Sequence, residues 1–394
     1  MTDQNILDVL RSRGFVQQTT DEEALRASFS EGPVTFYIGF DPTADCLHVG
    51  HLLPIMLMRW LQKAGHKPIV VMGGGTAMVG DPSGKSKTRE MLTPAQIEHN
   101  LAAQRLLFAK YLDLDDAIVV NNAEWLLELN YISFLRDIGR HFSVNRMLSS
   151  SGAQLRLERG QGYSFIEFNY HLLQSYDFLE LNRRYSCTLQ CGGDDQWFNI
   201  LGGVDLVRRE QSQEAHAITI PLMLTADGKK MGKTEAGAIW IDGDRLGPFD
   251  FYQYWYNVHD DDVIKLLKLY TEVPLDEIEA LAQLGGKDIR QAKRRLAFET
   301  TRLCHGEDVA RKAEQAAKGD TQQMPTHATA FPVGVLDALV ATGLCRSKGE
   351  ARRKVRENGV RLDGEKVTDA SAEIAASAVL QLGKKRFVRL VSEG

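Results

Sequence analysis

The chain has 394 residues, room for on the order of two or three domains and a large core. Hydrophobic residues make up 43% and charged residues 25%, a soluble globular balance, and no apolar run approaches the ~20 residues of a membrane span. Five cysteines (Cys46, Cys187, Cys191, Cys304, Cys345) form no CxxC pair, and no second Cys/His pair accompanies Cys187 and Cys191, which argues against disulfides and a zinc site. The polar N-terminus MTDQNILDVLRSRG lacks a signal-peptide core, so a cytoplasmic location is expected. The net charge of −5 is uneven: 12 Lys+Arg against 8 Asp+Glu give Gly334–Gly394 a charge of +4 and leave −9 on the rest. A basic end on an acidic body suits contact with a polyanion.

In chain order, residues 1–31 read as helical and amphipathic. Val34–Phe40 (VTFYIGF) reads as a strand of β-branched and aromatic residues ending in Asp41-Pro42-Thr43. The apolar run after His51 predicts a buried helix stopped by Gly65, with Pro54 tolerated in a first turn. KPIVVMGGG is a second strand running into glycine. A long helix follows Pro94, and Ala117–Asn121 (AIVVN), Cys187–Gly193 (CTLQCGG) and Ala217–Leu222 (AITIPL) are further strands. Strands alternating with helices predict an α/β fold with a doubly wound, mostly parallel sheet, whose ligands bind at the carboxyl ends of the strands. Five segments are expected: a catalytic domain over 1–229, a lysine-bearing connection over 230–249, a helical domain over 250–317, a polar linker over 318–332 and a small α+β unit over 333–394. Asp363-Gly364 marks a hairpin in the last of these.

Two signatures carry the chemistry. His48-Val49-Gly50-His51 follows a strand and opens a helix, where backbone N–H groups and the helix dipole favour an anion. Gly50 lets a nucleotide approach the backbone. Lys230-Met231-Gly232-Lys233-Thr234 is a glycine-containing loop whose lysines suit a departing pyrophosphate. Alone, the first is more often structural and the second a solvated turn. Together they imply adenylate formation, a carboxylate attacking the α-phosphorus of ATP. Gly80–Glu90 (GDPSGKSKTRE) lacks Walker A spacing, but Lys85 and Arg89 are candidates for phosphates and Asp81 for an ammonium; the plainer alternative is a solvated charged loop. Tyr170, Gln174 and Asp177 share one helical face, either at the surface or lining a polar pocket. Gln190–Gln196 (QCGGDDQ) ends a strand in two glycines and two carboxylates, and Asp195 is a candidate for a ribose hydroxyl or a helix cap.

YIGFDPTADCLHVGH, GDPSGK, YHLLQSYD, QCGGDDQW and KMGKT, in this order, resemble the bacterial tyrosyl-tRNA synthetases of the Rossmann-like class I group over essentially the whole chain. The resemblance implies that Tyr37 and Asp177 bind the substrate phenol, and that Tyr170, Gln174 and Asp81 bind its ammonium. Thr76 and Gln190 would shape the pocket, and Asp41, Gly193, Asp195 and Gln196 would face the adenylate. His48 and His51 would engage ATP, with Lys85, Arg89, Lys230, Lys233 and Thr234 around the pyrophosphate. Magnesium would ride on the ATP phosphates, with no protein metal site, and the enzyme would be a homodimer acting on L-tyrosine, ATP and tRNA(Tyr), without a membrane. Gly232 and Thr234 replace serines of the common lysine pattern, and Asp194 stands where a small residue is usual, adding a charge near the nucleotide.

Ser347–Val367 resembles a small RNA-binding module shared with a ribosomal small-subunit protein. Lys348, Arg352, Arg353, Lys354 and Arg356 would meet phosphates, with Lys384, Lys385 and Arg386 on a later turn. The bland alternative is a solvated basic helix. Rival functions are a non-catalytic RNA-binding descendant, against which the intact His48, His51, Lys230 and Lys233 speak, and another H-x-G-H nucleotidyltransferase, which would lack the tyrosine-pocket face. A tryptophan-specific relative is disfavoured by the Tyr37/Asp177 pair.

Overall fold

The computed structural model describes residues 4–81, 92–160, 164–224, 231–234, 237–383 and 386–393. Among these, six strands form one sheet in the order β1 (Gln18–Thr19), β6 (His216–Ile220), β5 (Leu189–Gly193), β2 (Thr35–Phe40), β3 (Lys67–Met72), β4 (Ile118–Asn121). All pairings are parallel except β1 with β6. Every residue of β3 after Lys67 is buried, as expected of a parallel strand covered on both faces. The chain runs outward from β2 through β3 to β4, then returns to place β5 on the other side of β2. The sheet therefore has its switch point between β2 and β5, where a crevice opens at the carboxyl ends of the strands.

The helical reading of residues 1–31 is corrected by β1. Two helices, Ile6–Arg13 and Glu22–Glu31, flank a two-residue strand that caps the β6 edge. A strand this short is invisible to a periodicity argument. The signature helix α1 (Val49–Lys63) begins before His51, so Pro54 lies in its second turn. Its buried residues include Val49, Leu52, Leu53, Ile55, Met56, Leu57, Met58 and Leu61, so most of its circumference is apolar contact. The long helix α2 (Phe165–Tyr185) starts from a Ser164/Glu167 capping box and packs against α3 (Trp197–Gln211).

Contacts divide the chain into two compact units, Met1–Ile241 with Ile264–Leu275, and Asp242–Val263 with Asp276–Gly394. The stretch 250–317 is helical as expected, yet it is shared between the units. Arg13 explains part of this, because its guanidinium donates to the carbonyls of Lys268, Thr271 and Val273. Glu272 adds ion pairs with Arg59 and with Lys63.

In the second unit, strands Glu365–Lys366, Val360–Leu362, Ala378–Leu382, Arg386–Ser392 and Thr326–Thr329 form a five-stranded sheet in that order. Asp363 and Gly364, both at positive φ, make the expected hairpin turn. The linker reading of 318–332 is overturned: Thr326–Thr329 pairs in parallel with Arg386–Ser392 and completes the sheet edge. The polar, proline-flanked composition hid it because an edge strand needs little apolar content. Phe249, Ala316 and Met324 form a core that Val379 and Phe387 of the sheet pack against, so the sheet is seated on the helices of its own unit. No helix among the described residues is long and apolar enough to cross a membrane. Phe249→Ala should lower the stability of this unit by about 3–5 kcal/mol, the cost of emptying an aromatic site; denaturant unfolding monitored in the second unit measures it.

Candidate active site

The crevice between β2 and β5 is a cavity of about 240 Å³. Its lining includes Tyr37, Asp41, Thr76, Asp81, Tyr170, Gln174, Asp177, Gln190, Gly193 and Gln196, ten residues singled out from the sequence. They arrive from four directions. β2 supplies Tyr37 and ends at Asp41, and the turn after β3 supplies Thr76. One face of α2 supplies Tyr170, Gln174 and Asp177, spaced as a helix requires. β5 and the turn after it supply Gln190, Gly193 and Gln196.

Hydrogen bonds join Tyr170, Asp41, Thr76 and Asp177 through Asn122, and link Gln196 to Asp81. The Tyr170 hydroxyl donates to Asp41 Oδ2 at 3.0 Å, and the Thr76 hydroxyl donates to Asp41 Oδ1 at 2.8 Å. Asn122 Nδ2 donates to Thr76 Oγ1 at 3.1 Å and to Asp177 Oδ2 at 2.9 Å. Trp125 Nε1 donates to Asp177 Oδ1 at 2.8 Å. Gln196 Nε2 donates to Asp81 Oδ2 at 2.9 Å. Asn122 and Trp125 are not among the residues the sequence singles out, although Asn122 lines the cavity, as does Thr43 of the expected Asp41-Pro42-Thr43 turn. The polar pair Asn121-Asn122 at the carboxyl end of a parallel strand was the signal available for the first.

At the floor, Tyr37 is 1% and Asp177 4% exposed. Burial pushes the Asp177 carboxyl up to about 7, against the bonds from Asn122 and Trp125, which lower it, while nearby Asp41 raises it further. Burial, then the neighbouring Asp177, holds the Tyr37 phenol well above its ordinary range. Tyr37 Oη and Gln190 Oε1 are buried without a hydrogen-bond partner among the described residues. Each carboxylate oxygen of Asp177 receives one donor here and has capacity for another. The floor thus presents an unused hydroxyl beside a carboxylate able to accept once more, a pattern that a group both donating and accepting would complete.

The first signature stands at the start of α1, where His51 borders the mouth of the cavity. His48 is the N-cap of α1: its Nδ1 accepts from Gly50 N–H at 3.0 Å, and His51 Nδ1 accepts from His48 N–H at 3.2 Å. A ring nitrogen that accepts carries no proton, so in the neutral rings the proton sits on Nε2. The imidazoles lie 4.0 Å apart, and His51 lines the cavity. The expectation of free N–H groups at this helix mouth is corrected. Val49 N–H donates to Ile239 O and Gly50 N–H to the His48 ring, so the dipole and the imidazoles remain to attract an anion. Gly50 also has a nearer reason than ligand approach, since a Cβ there would lie 2.7 Å from His48 Cε1.

Lys233–Thr234 pairs with Gly237–Ala238, and the Ile239 N–H donates to Gly232 O at 2.9 Å. Gly232 has φ +88, and its Cβ would lie 3.0 Å from Val49 Cγ2, which explains glycine at this position. The two signatures therefore meet. The described portion of Lys233 and Thr234 is their backbone; Lys85, Arg89 and Lys230 lie outside the described residues. Asp194 lies outside the cavity lining, accepting from Gln18 Nε2 at 2.6 Å and Thr219 Oγ1 at 2.8 Å, so its carboxylate serves the sheet edge where the sequence suggested an extra charge near a nucleotide. His48, Gly50 and Asp195 are near the cavity in sequence without forming part of its lining.

In the second unit, the basic helix α4 (Lys348–Arg356) exposes Arg352, Arg353 and Arg356. Lys354 pairs with Glu357 at 2.9 Å and Lys348 with Asp337. Arg386 differs from the sequence reading: its guanidinium donates to the carbonyls of Leu344 and Gly343, both at 2.7 Å, a structural use. Lys384 and Lys385 lie outside the described residues.

Residues 30–319 match the family model for class I tRNA synthetases (W and Y), and residues 315–390 match that of the tyrosine–tRNA ligase SYY-like C-terminal domain. The chain is 48% identical to a tyrosine–tRNA ligase of Clostridium tetani over 406 residues, covering 99% of each. It is 49% identical to one of Clostridium botulinum over 407 residues, covering 99% of this chain and all of that one. Among solved structures it is similar to a C-terminally truncated Aspergillus nidulans mitochondrial tyrosyl-tRNA synthetase. That match has a TM-score of 0.72 and 30% identity, over 80% of this chain and 94% of the other.

The Asp177 carboxyl, at about 7, sets a pH dependence. Between its unfolded value near ~4 and 7, the folded chain keeps a proton that the unfolded chain has released, so this group's contribution to unliganded stability falls as pH rises through that window. Thermal midpoints of the unliganded protein and Asp177→Asn, measured from pH 5 to 8, should converge at low pH and separate toward pH 8, with the difference following ionisation of this one group.

Proposed function

The chain belongs to the class I tRNA synthetases (W and Y) and acts as a tyrosine–tRNA ligase, and from that premise we propose which residues perform each step. The enzyme joins L-tyrosine to ATP as tyrosyl-AMP, releasing pyrophosphate, and passes the tyrosyl group to the terminal adenosine of its tRNA. The observation that carries the site assignment is the partnerless Tyr37 hydroxyl beside buried Asp177. The substrate phenol donates to Asp177 and accepts from Tyr37. Tyr170, Gln174 and Asp81 hold the ammonium, with Thr76 and Gln190 shaping the walls. This orients the substrate carboxylate toward the mouth, where Asp41, Gly193, Asp195 and Gln196 face the nucleotide.

His48 and His51 donate to phosphate oxygens as charge builds there, and Lys85, Arg89, Lys230, Lys233 and Thr234 surround the leaving pyrophosphate. No enzyme nucleophile is needed, since positioning and preorganised donors lower the barrier. Magnesium enters on the ATP phosphates. The basic face of α4, with Lys384 and Lys385, meets the tRNA backbone. The active enzyme is a homodimer: Leu127, Tyr131, Ile132, Val144, Phe165 and Ile166 are large apolar residues left exposed on one chain, and a second copy would cover them.

Amino-acid-dependent ATP–pyrophosphate exchange tests the pocket. Phenylalanine gives no partner to the Tyr37 hydroxyl or to the remaining acceptor position of Asp177, at about 1–3 kcal/mol each, so exchange with phenylalanine should fall by a factor of roughly 30 to 10⁴. Equal exchange with both amino acids would refute the phenol assignment.

The phosphate clamp acts on the barrier. Lys233→Ala and His48→Ala should each raise it by about 2–4 kcal/mol and leave tyrosine binding nearly intact. Pre-steady-state adenylation set beside equilibrium tyrosine binding separates the two effects.

The basic helix acts on the second step. Replacing Arg352, Arg353 and Arg356 together by Ala should weaken tRNA charging and reduce its salt dependence by up to about three phosphate contacts, while pyrophosphate exchange stays normal. Charging at several salt concentrations, alongside exchange on the same preparation, reads both.

A further inference from the structure

The turn after β5 carries two neighbouring carboxylates, Asp194 and Asp195. Asp194 leaves the cavity and reaches the antiparallel sheet edge. There the Gln18 backbone N–H donates to Thr219 Oγ1 at 3.1 Å, the Thr219 hydroxyl donates to Asp194 Oδ1 at 2.8 Å, and Gln18 Nε2 donates to the same oxygen at 2.6 Å. Thr219 is fully buried, and Gln18 and Thr219 are direct partners across β1 and β6, so the anchor is held from both strands. Two residues on, the turn reaches the cavity. Gln196 lines the cavity, donates to Asp81 at 2.9 Å and accepts from Asn199 Nδ2 at 3.2 Å. A carboxylate at the first residue of the turn that leads into α3 also lies at the favourable end of that helix's dipole.

We infer that Asp194 is a positioning residue: by tying the turn to the Gln18–Thr219 edge, it fixes the orientation in which Asp195 and Gln196 face the substrates. The inference rests on the assignment of Asp195 and Gln196 to the nucleotide side. It gives the two-residue β1 strand a task in the reaction, because without Gln18 the Asp194 oxygen loses one of its two donors. An acceptor oxygen, not a negative charge, is what both donors require. Asn at position 194 keeps that oxygen, and Ala removes it.

The test uses the full chain and ATP–pyrophosphate exchange with ATP and tyrosine varied separately, with thermal midpoints as a check on folding. Asp194→Ala is expected to lower kcat/KM for ATP about tenfold, and Asp194→Asn to stay within about twofold of the parent. Gln18→Ala should cause part of the loss, and Gln18→Ala with Asp194→Ala together should be no worse than Asp194→Ala alone, the non-additivity of one shared interaction. Thr219→Ser, which retains the hydroxyl, should be near normal, and Thr219→Val impaired. Asp195→Ala and Gln196→Ala serve as controls. If they are impaired while Asp194→Ala is normal, the positioning role is wrong and the site assignment stands. If they are themselves normal, the assignment of the turn falls and this inference with it. If Asp194→Asn loses as much as Asp194→Ala, or the Gln18 and Asp194 losses add fully, the anchor described here is not the cause and the inference is overturned.

Discussion

A carboxylate taken out of water must be given donors, and Asp177 receives two, from Asn122 and Trp125. Those bonds oppose burial without cancelling it. The same Asn122 amide reaches Thr76, and Thr76 and Tyr170 both reach Asp41. One polar chain therefore ties the carboxyl ends of β2, β3 and β4 to the inner face of α2. Loss of any member costs a neighbour one of its partners in a dry place, which is why the floor of the cavity is set before any substrate arrives. The unused hydroxyl of Tyr37 is the place where this network has been left incomplete.

The mouth is organised differently. Its contacts are backbone bonds between two distant segments: Val49 to Ile239, Ile239 to Gly232, and Ile241 to Leu47. They seat the start of the lysine-bearing hairpin on the start of α1, and glycine at 232 allows the close approach. A hydrogen-bonded floor that selects and a backbone-paired mouth that carries the proposed phosphate ligands are a physically sensible division. Selectivity needs preorganised buried polar groups, whereas donors to a leaving group need to strengthen only as charge develops.

The second unit separates sheet packing from charge. Phe249 and Phe387 belong to the core that seats its sheet on its helices, while α4 turns Arg352, Arg353 and Arg356 to solvent. Arg386 shows that basic residues near each other in space need not share a task, since its guanidinium bridges two carbonyls and holds a loop.

Much of this was legible in the sequence. Long apolar strands such as Lys67–Met72 announce themselves because burial on both faces demands an unbroken apolar run. The helical spacing of Tyr170, Gln174 and Asp177 places them on one face whatever surrounds the helix. The Asp-Gly hairpin follows from the positive φ that its turn requires. Other features depend on partners far along the chain, which local pattern does not encode. The strands Gln18–Thr19 and Thr326–Thr329 exist because a sheet edge was available to pair with. Asp194 faces outward because Gln18 and Thr219 happen to be there, and Asn122 matters because Asp177 lies beside it. Sequence alone determined the family motifs and which elements the candidate residues ride on, because residue type and spacing are local properties. Tertiary structure decided which of them touch and which way each side chain turns, because hydrogen-bond partners are chosen by proximity in space.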